Sequence, residues 1–136
     1  MILLDTVVLS ELRKSRPHPG VLAYLQTQSA EAIYLSVLTL GEIDAGIERQ
    51  RGQNPVFAAE LAQWLGVLEQ QFAHCILPVT PLIAKLWGRL CIQTGNKGVD
   101  NLIAATALCH NLTVVTRNVK HFQPTGVRVF DPFGLT

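Results

Sequence analysis

With 136 residues, 49% of them hydrophobic, the chain has the length of one domain that buries roughly two-thirds of its unfolded surface. Only 15% of residues are charged and the formal net charge is +1. That balance excludes a histone-like nucleic-acid binder and a basic membrane-surface protein, so any site for a polyanion must be local.

The chain opens with Ile2, Leu3 and Leu4, an uninterrupted apolar run of the kind that forms a strand buried on both faces of a parallel sheet. Asp5 ends the run at what would be the carboxyl edge of the sheet, where open α/β folds place their ligand crevice. Thr6 can cap a short helix through Glu11 and Leu12, closed by the basic cluster Arg13, Lys14 and Arg16. Pro17-His18-Pro19-Gly20 forces a turn. Val21, Leu22 and Leu25 have helical spacing, and Ile33 to Val37 reads as a second strand.

The segment Leu38 to Gln50 predicts a helix with Leu40, Ile43 and Ile47 on one face and Glu42 near its start, broken over Arg51 to Pro55. Phe57, Leu61, Trp64, Leu65 and Leu68 mark a long amphipathic helix to about Phe72, followed by a short strand at Cys75 to Leu77. A further helix from Pro81 carries Ile83, Leu86, Trp87 and Leu90 toward Gly95. Trp64 and Trp87, set among apolar neighbours, are expected in the core or at an interface instead of serving as base-stacking platforms.

Gly95-Asn96-Lys97-Gly98 reads as a flexible loop, and Asp100 opens the next helix. Its Leu102 to Ala107 run is small and apolar enough to pack closely beneath a sheet, and Asn111 can end it in the left-handed conformation. Thr113 to Thr116 is the next buried strand, Arg117 to Phe122 leaves its carboxyl end, and Val127 to Phe130 supplies a last strand. Alternating strands and helices imply a three-layer α/β/α sandwich around a central parallel sheet, formed as one domain over residues 1–136.

Cys75, Cys91 and Cys109 are odd in number and lack paired C-x-x-C spacing, as expected of reduced thiols in a cytoplasmic protein. No basic region precedes the apolar start and no apolar run approaches the roughly 20 residues of a bilayer span, so neither a signal peptide nor a membrane anchor is expected.

Three acids fall at equivalent points: Asp5 after strand one, Glu42 after strand two and Asp100 at the start of the apolar helix. Each has a structural alternative. Thr39 and Glu42 fit a capping box, Asp100 fits an N-cap, and Asp5 must be solvated, paired or bound to a cation. Converging carboxylates repel unless a divalent cation neutralises them, and oxygen-only donors favour Mg²⁺ or Mn²⁺ over Zn²⁺. Such a site suits phosphodiester hydrolysis. The nucleotide-binding fingerprints G-x-x-x-x-G-K-S/T and G-x-G-x-x-G do not occur. Of the histidines, His18, His74 and His110 are expected in surface or capping roles and only His121 falls near the crevice. Arg13, Lys14, Arg117 and Lys120 follow elements ending at that edge and are candidate phosphate contacts, with solvated surface charge as the alternative.

Four stretches carry a family resemblance: L-L-D-T-V-V-L-S-E-L-R at Leu3 to Arg13, L-S-V-L-T-L-G-E-I at Leu35 to Ile43, D-N-L-I-A-A-T-A at Asp100 to Ala107, and V-V-T-R-N-V at Val114 to Val119. Together they resemble a PIN-domain ribonuclease, specifically a VapC-type toxin of a bacterial toxin–antitoxin pair, over nearly the whole chain. The resemblance implies acids that hold Mg²⁺ or Mn²⁺ to cleave RNA. By motif position it assigns Asp5, Glu42 and Asp100 to the first three acidic sites and Asn118 to the fourth. It also implies a homodimer and an antitoxin peptide that docks along the apolar helices and reaches into the crevice. The chain departs from the family pattern at Val7, where D-T-N is usual, at His121, where an acid is frequent, and in the Gly-Asn-Lys-Gly-Val segment before Asp100, where the family has a Pro-containing one. Two functions follow: a metal-dependent endoribonuclease toxin silenced by an antitoxin, or an attenuated PIN module that binds RNA or a protein partner without efficient cleavage.

Overall fold

A computed structural model describes residues 1–134, and the last two positions of the expected 1–136 unit lie outside the described residues. Its centre is β1 (Ile2–Leu4), flanked by β2 (Ile33–Ser36) on one side and β4 (Thr113–Val115) on the other. β3 (Ile76–Leu77) and β5 (Val129–Phe130) are the edges of a five-stranded sheet ordered β3-β2-β1-β4-β5, in which every pairing is parallel. Strand order reverses at β1, so the carboxyl ends of β1 and β4 open at the topological switch point.

The helices are α1 (Thr6–Leu9), α2 (Pro19–Gln26), α3 (Val37–Gln53), α4 (Pro55–Gln71), α5 (Pro81–Thr94), α6 (Val99–His110) and α7 (Val119–Phe122). They cover both faces, which explains the unbroken apolar run of β1. Ile2, Leu4 and Val115 pack with Val8, Val21 and Ile47 on one side; Leu3 and Val114 pack with Ile83, Ile103 and Phe122 on the other. Each such fully buried aliphatic side chain stabilises the fold by about 1.5–3 kcal/mol. The fold is therefore the expected α/β/α arrangement. Among the described residues no helix is long and apolar enough to cross a membrane, and the three cysteines are free.

Several boundaries differ from expectation. The break expected over Arg51 to Pro55 shrinks to Asn54, because the Asn54 amide still bonds to the Gln50 carbonyl (2.7 Å) while its side chain caps α4 at the Phe57 amide (3.1 Å). β5 begins at Val129 instead of Val127, after a turn at Gly126 whose φ of 78° suits glycine. The Gly95–Gly98 loop is tied down where mobility was expected. Buried Asn101 donates to the Asn96 carbonyl (2.6 Å) and the Thr94 hydroxyl (2.8 Å), and the Gly98 amide donates to Asn96 Oδ1 (2.8 Å). Asn111 ends α6 in the left-handed region, as its position predicts.

Candidate active site

Asp5 follows β1 with extended backbone, and its amide donates to the Val115 carbonyl (3.0 Å), carrying the ladder one residue past the strand. Asp5, and not Thr6, caps α1: Oδ1 accepts from the Thr6 amide at 2.9 Å. Oδ2 accepts from the Thr116 hydroxyl at 2.7 Å. The residue is only 5% exposed. Burial pushes its carboxyl above the usual range, the bonds from Thr116 and Thr6 pull the other way, and the charges of Asp100 and Glu42 push it up again.

Glu42 makes no capping box. α3 starts at Val37 and is capped by Ser36, whose hydroxyl accepts from the Leu38 amide at 3.1 Å. Glu42 therefore lies in the second turn of α3, and its Oε1 accepts from the Thr6 hydroxyl at 2.7 Å. Thr39, fully buried, lies 3.3 Å from the same hydroxyl. The residue after Asp5 thus connects β1 to the face of α3.

Asp100 is not an N-cap either, because Gly98 holds that position and Asp100 is the second residue of α6. A carboxylate in that first turn is favoured by the helix dipole. Asp100 Oδ2 lies 3.0 Å from Nδ1 of His121. Asn118 follows β4, and its amide donates to the Thr116 hydroxyl at 2.9 Å. Arg117, Asn118, Lys120 and His121 line a cavity of about 310 Å³.

Thr116, which strand periodicity marks only as the end of β4, belongs to the site. Fully buried, it joins Asp5 to Asn118. A polar residue directly after a buried strand, in parallel register beside β1 and Asp5, is the signal that could have found it. Glu11, by local pattern an ordinary helix residue, is also tied into tertiary contacts. It is 6% exposed, pairs with Lys14 and accepts from the His18 amide at 2.9 Å. The Lys14 bond, opposed by burial, holds its carboxyl below the usual range. Lys14 is thereby committed to a carboxylate. Arg13 lies over the Phe57 ring, 5.2 Å from its centroid, and Arg117 over Phe133 at 3.7 Å. His18 caps α2 at the Gly20 amide. Val7 packs against the apolar core.

Among the described residues the ion pairs are Lys14–Glu11 and Arg51–Glu48, with the His121 ring against Asp100, so no cationic side chain compensates Asp5 or Glu42. No trio of His, Cys, Asp or Glu among them is drawn together closely enough to hold a metal as the side chains stand. Thr6 and Thr116 occupy carboxylate oxygens that a cation would need to share. The donor chemistry nevertheless fits a hard divalent cation: oxygen only, like-charged, and led by a buried carboxylate without a basic partner.

An α/β/α domain with acids gathered around the switch-point crevice of an all-parallel sheet is the class that fold and site define. Residues 2–125 match the family model for the PIN domain. The chain is 31% identical to the VapC ribonuclease Y4jK of Sinorhizobium fredii, covering 98% of each chain, and 34% identical to the toxin FitB of Neisseria gonorrhoeae, covering 98% of this chain and 99% of that one. It superposes on a chain of the FitAcB crystal structure from Neisseria gonorrhoeae with a TM-score of 0.87 at 34% identity, over 99% of this chain and 100% of that one. The chain belongs to the PIN domain family, among the VapC-type toxins of toxin–antitoxin systems.

Proposed function

We propose that the chain is a metal-dependent endoribonuclease and the toxin of a type II toxin–antitoxin pair, working in the cytoplasm as one domain over residues 1–136. In this reading Asp5, Glu42 and Asp100 hold Mg²⁺ or Mn²⁺, and Asn118 stands at the fourth acidic position. The observation that carries it is the buried Asp5, facing the charges of two further acids without a cationic side chain to compensate it. Bound there, the cation supplies a Lewis acid for a phosphodiester oxygen and makes water a stronger nucleophile at neutral pH.

The protein's own residues set the geometry. The Thr6 amide and the Thr116 hydroxyl orient the two oxygens of Asp5, and His121 orients Asp100. In this reading Arg13, Arg117 and Lys120 serve as phosphate contacts, while Lys14 is turned toward Glu11. The names of the relatives as ribonuclease and toxin support the activity. Solved neighbours include a toxin–antitoxin complex from Klebsiella pneumoniae (TM-score 0.67, 25% identity), which supports an antitoxin partner. A homodimer is supported by exposed Leu82 and Ile92 on α5 and Val99 and Leu108 on α6.

Purified protein freed of its partner should cleave single-stranded RNA with Mg²⁺ or Mn²⁺ and not with EDTA. Asp5→Asn and Asp100→Asn should each lower cleavage by orders of magnitude with the circular dichroism spectrum unchanged. Wild-type cleavage by either variant in a ribonuclease-free preparation would defeat the assignment. Light scattering should give twice the chain mass at micromolar concentration.

A further inference from the structure

Beside the carboxylate crevice, α3, α4 and the turn after α1 line an open-sided cavity of about 270 Å³. Its lining includes Thr6 and Glu42, the aromatic rings of Phe57 and Trp64, and Arg13 and Arg49. The Arg13 guanidinium stacks over Phe57, and among the described residues neither Arg13 nor Arg49 pairs with a carboxylate. Gly46 lies in the interior of α3, where glycine weakens a helix. A Cβ there would meet only Arg49 Nη2, at 3.8 Å, so no crowding demands glycine. Its missing side chain leaves that wall of the cavity open.

We propose that this cavity receives one unstacked nucleobase of a single-stranded RNA whose adjoining phosphate lies at the carboxylate crevice; the proposal rests on the ribonuclease reading. The cavity is smaller than the roughly 300–1,000 Å³ pockets of drug-sized ligands, which suits one flat ring. Single-stranded RNA is held in this way, with bases on aromatic rings and guanidinium planes and phosphates on arginine. Two arginines without carboxylate partners match a polyanion, and Thr6 and Glu42, shared with the crevice, place the next phosphate over the acids.

The test uses hexauridylate and hexaadenylate carrying 2-aminopurine at one position, titrated into the native protein in EDTA, with an abasic hexamer as the control. Base-bearing oligomers should bind about tenfold more tightly than the abasic one, as expected from the stacking of a single base. Gly46→Leu, which fills the cavity, should remove that advantage, Arg49→Gln should weaken abasic and base-bearing oligomers alike, and Gly46→Ala should keep the advantage. Quenching of Trp64 fluorescence in a Trp87→Phe background should follow the same titration. Equal affinity for abasic and base-bearing oligomers, or an unchanged affinity in folded Gly46→Leu, overturns the proposal. Quenching of Trp64 by a partner-protein peptide and not by RNA overturns it in favour of a peptide site. A wild-type protein that cleaves RNA without base dependence defeats the cavity alone, and one that never cleaves with Mg²⁺ or Mn²⁺ defeats the ribonuclease reading.

Discussion

Replacing Thr116 with Val keeps the shape of a fully buried side chain and removes one hydroxyl, which donates to Asp5 Oδ2 at 2.7 Å and accepts from the Asn118 amide at 2.9 Å. A hydrogen bond to a charged group contributes about 1.5–3 kcal/mol, and an orphaned amide adds to the loss. The expected destabilisation is about 2–3 kcal/mol at neutral pH, equivalent to a fall in Tm of roughly 10 °C for a chain of this size. Thr116→Ser is the control: it keeps the hydroxyl and loses one methyl, for about 1 kcal/mol.

Urea denaturation of both variants, from neutral pH down through the range in which carboxylates titrate and in EDTA, separates charge from packing. The folded Asp5 carboxyl is raised, chiefly by burial, so in its titration window the folded chain holds a proton that the unfolded chain has released. Stability from this group therefore falls as pH rises through the window. Losing the Thr116 bond, which lowers that titration, moves the window to higher pH. The deficit of the Val variant relative to the Ser variant should accordingly shrink as pH is lowered and Asp5 becomes neutral. A Val variant as stable as the Ser variant across the whole range would refute the claim that Thr116 sustains a buried charge.

Glu42→Gln should leave the melting temperature within about 1 °C, because Ser36 and not Glu42 caps α3, while Mn²⁺ affinity measured by calorimetry falls. An unchanged affinity would detach Glu42 from the metal site. Lys14→Met strands the buried Glu11, whose carboxyl is held low mainly by Lys14. The stability it lends exists above the ordinary glutamate pKa and fades as pH falls through the lowered one, so the variant should be less stable at pH 7 and lose less on acidification. Val7→Asn restores the amide usual in the family next to the buried Asp5 and should raise Mn²⁺ affinity or cleavage rate about ten- to a hundred-fold without raising stability. Identical titration curves for both proteins would leave Val7 as a packing residue only.

Short-range pattern in the chain fixes local structure. An unbroken apolar triplet before Asp5 announces a strand covered on both faces, and the helices from Pro55 and Pro81 follow from their 3.6-residue apolar spacing. Gly95 and Asn111 end α5 and α6 because few other residues tolerate positive φ. Local pattern is degenerate where a side chain has two possible partners. Thr39-x-x-Glu42 reads as a capping box, yet the acid bonds to Thr6 on another element, and Asp100 reads as a cap yet turns to His121. Packing between elements settles these points, because the choice depends on which distant group arrives at hydrogen-bonding distance. The Thr116 hydroxyl reaches Asp5 from 111 positions away, through the parallel pairing of β4 with β1 that strand periodicity does not encode. Periodicity tells each residue which face it occupies; the order of strands in the sheet, set by how the two helical layers bury their apolar faces, tells it who its neighbours are.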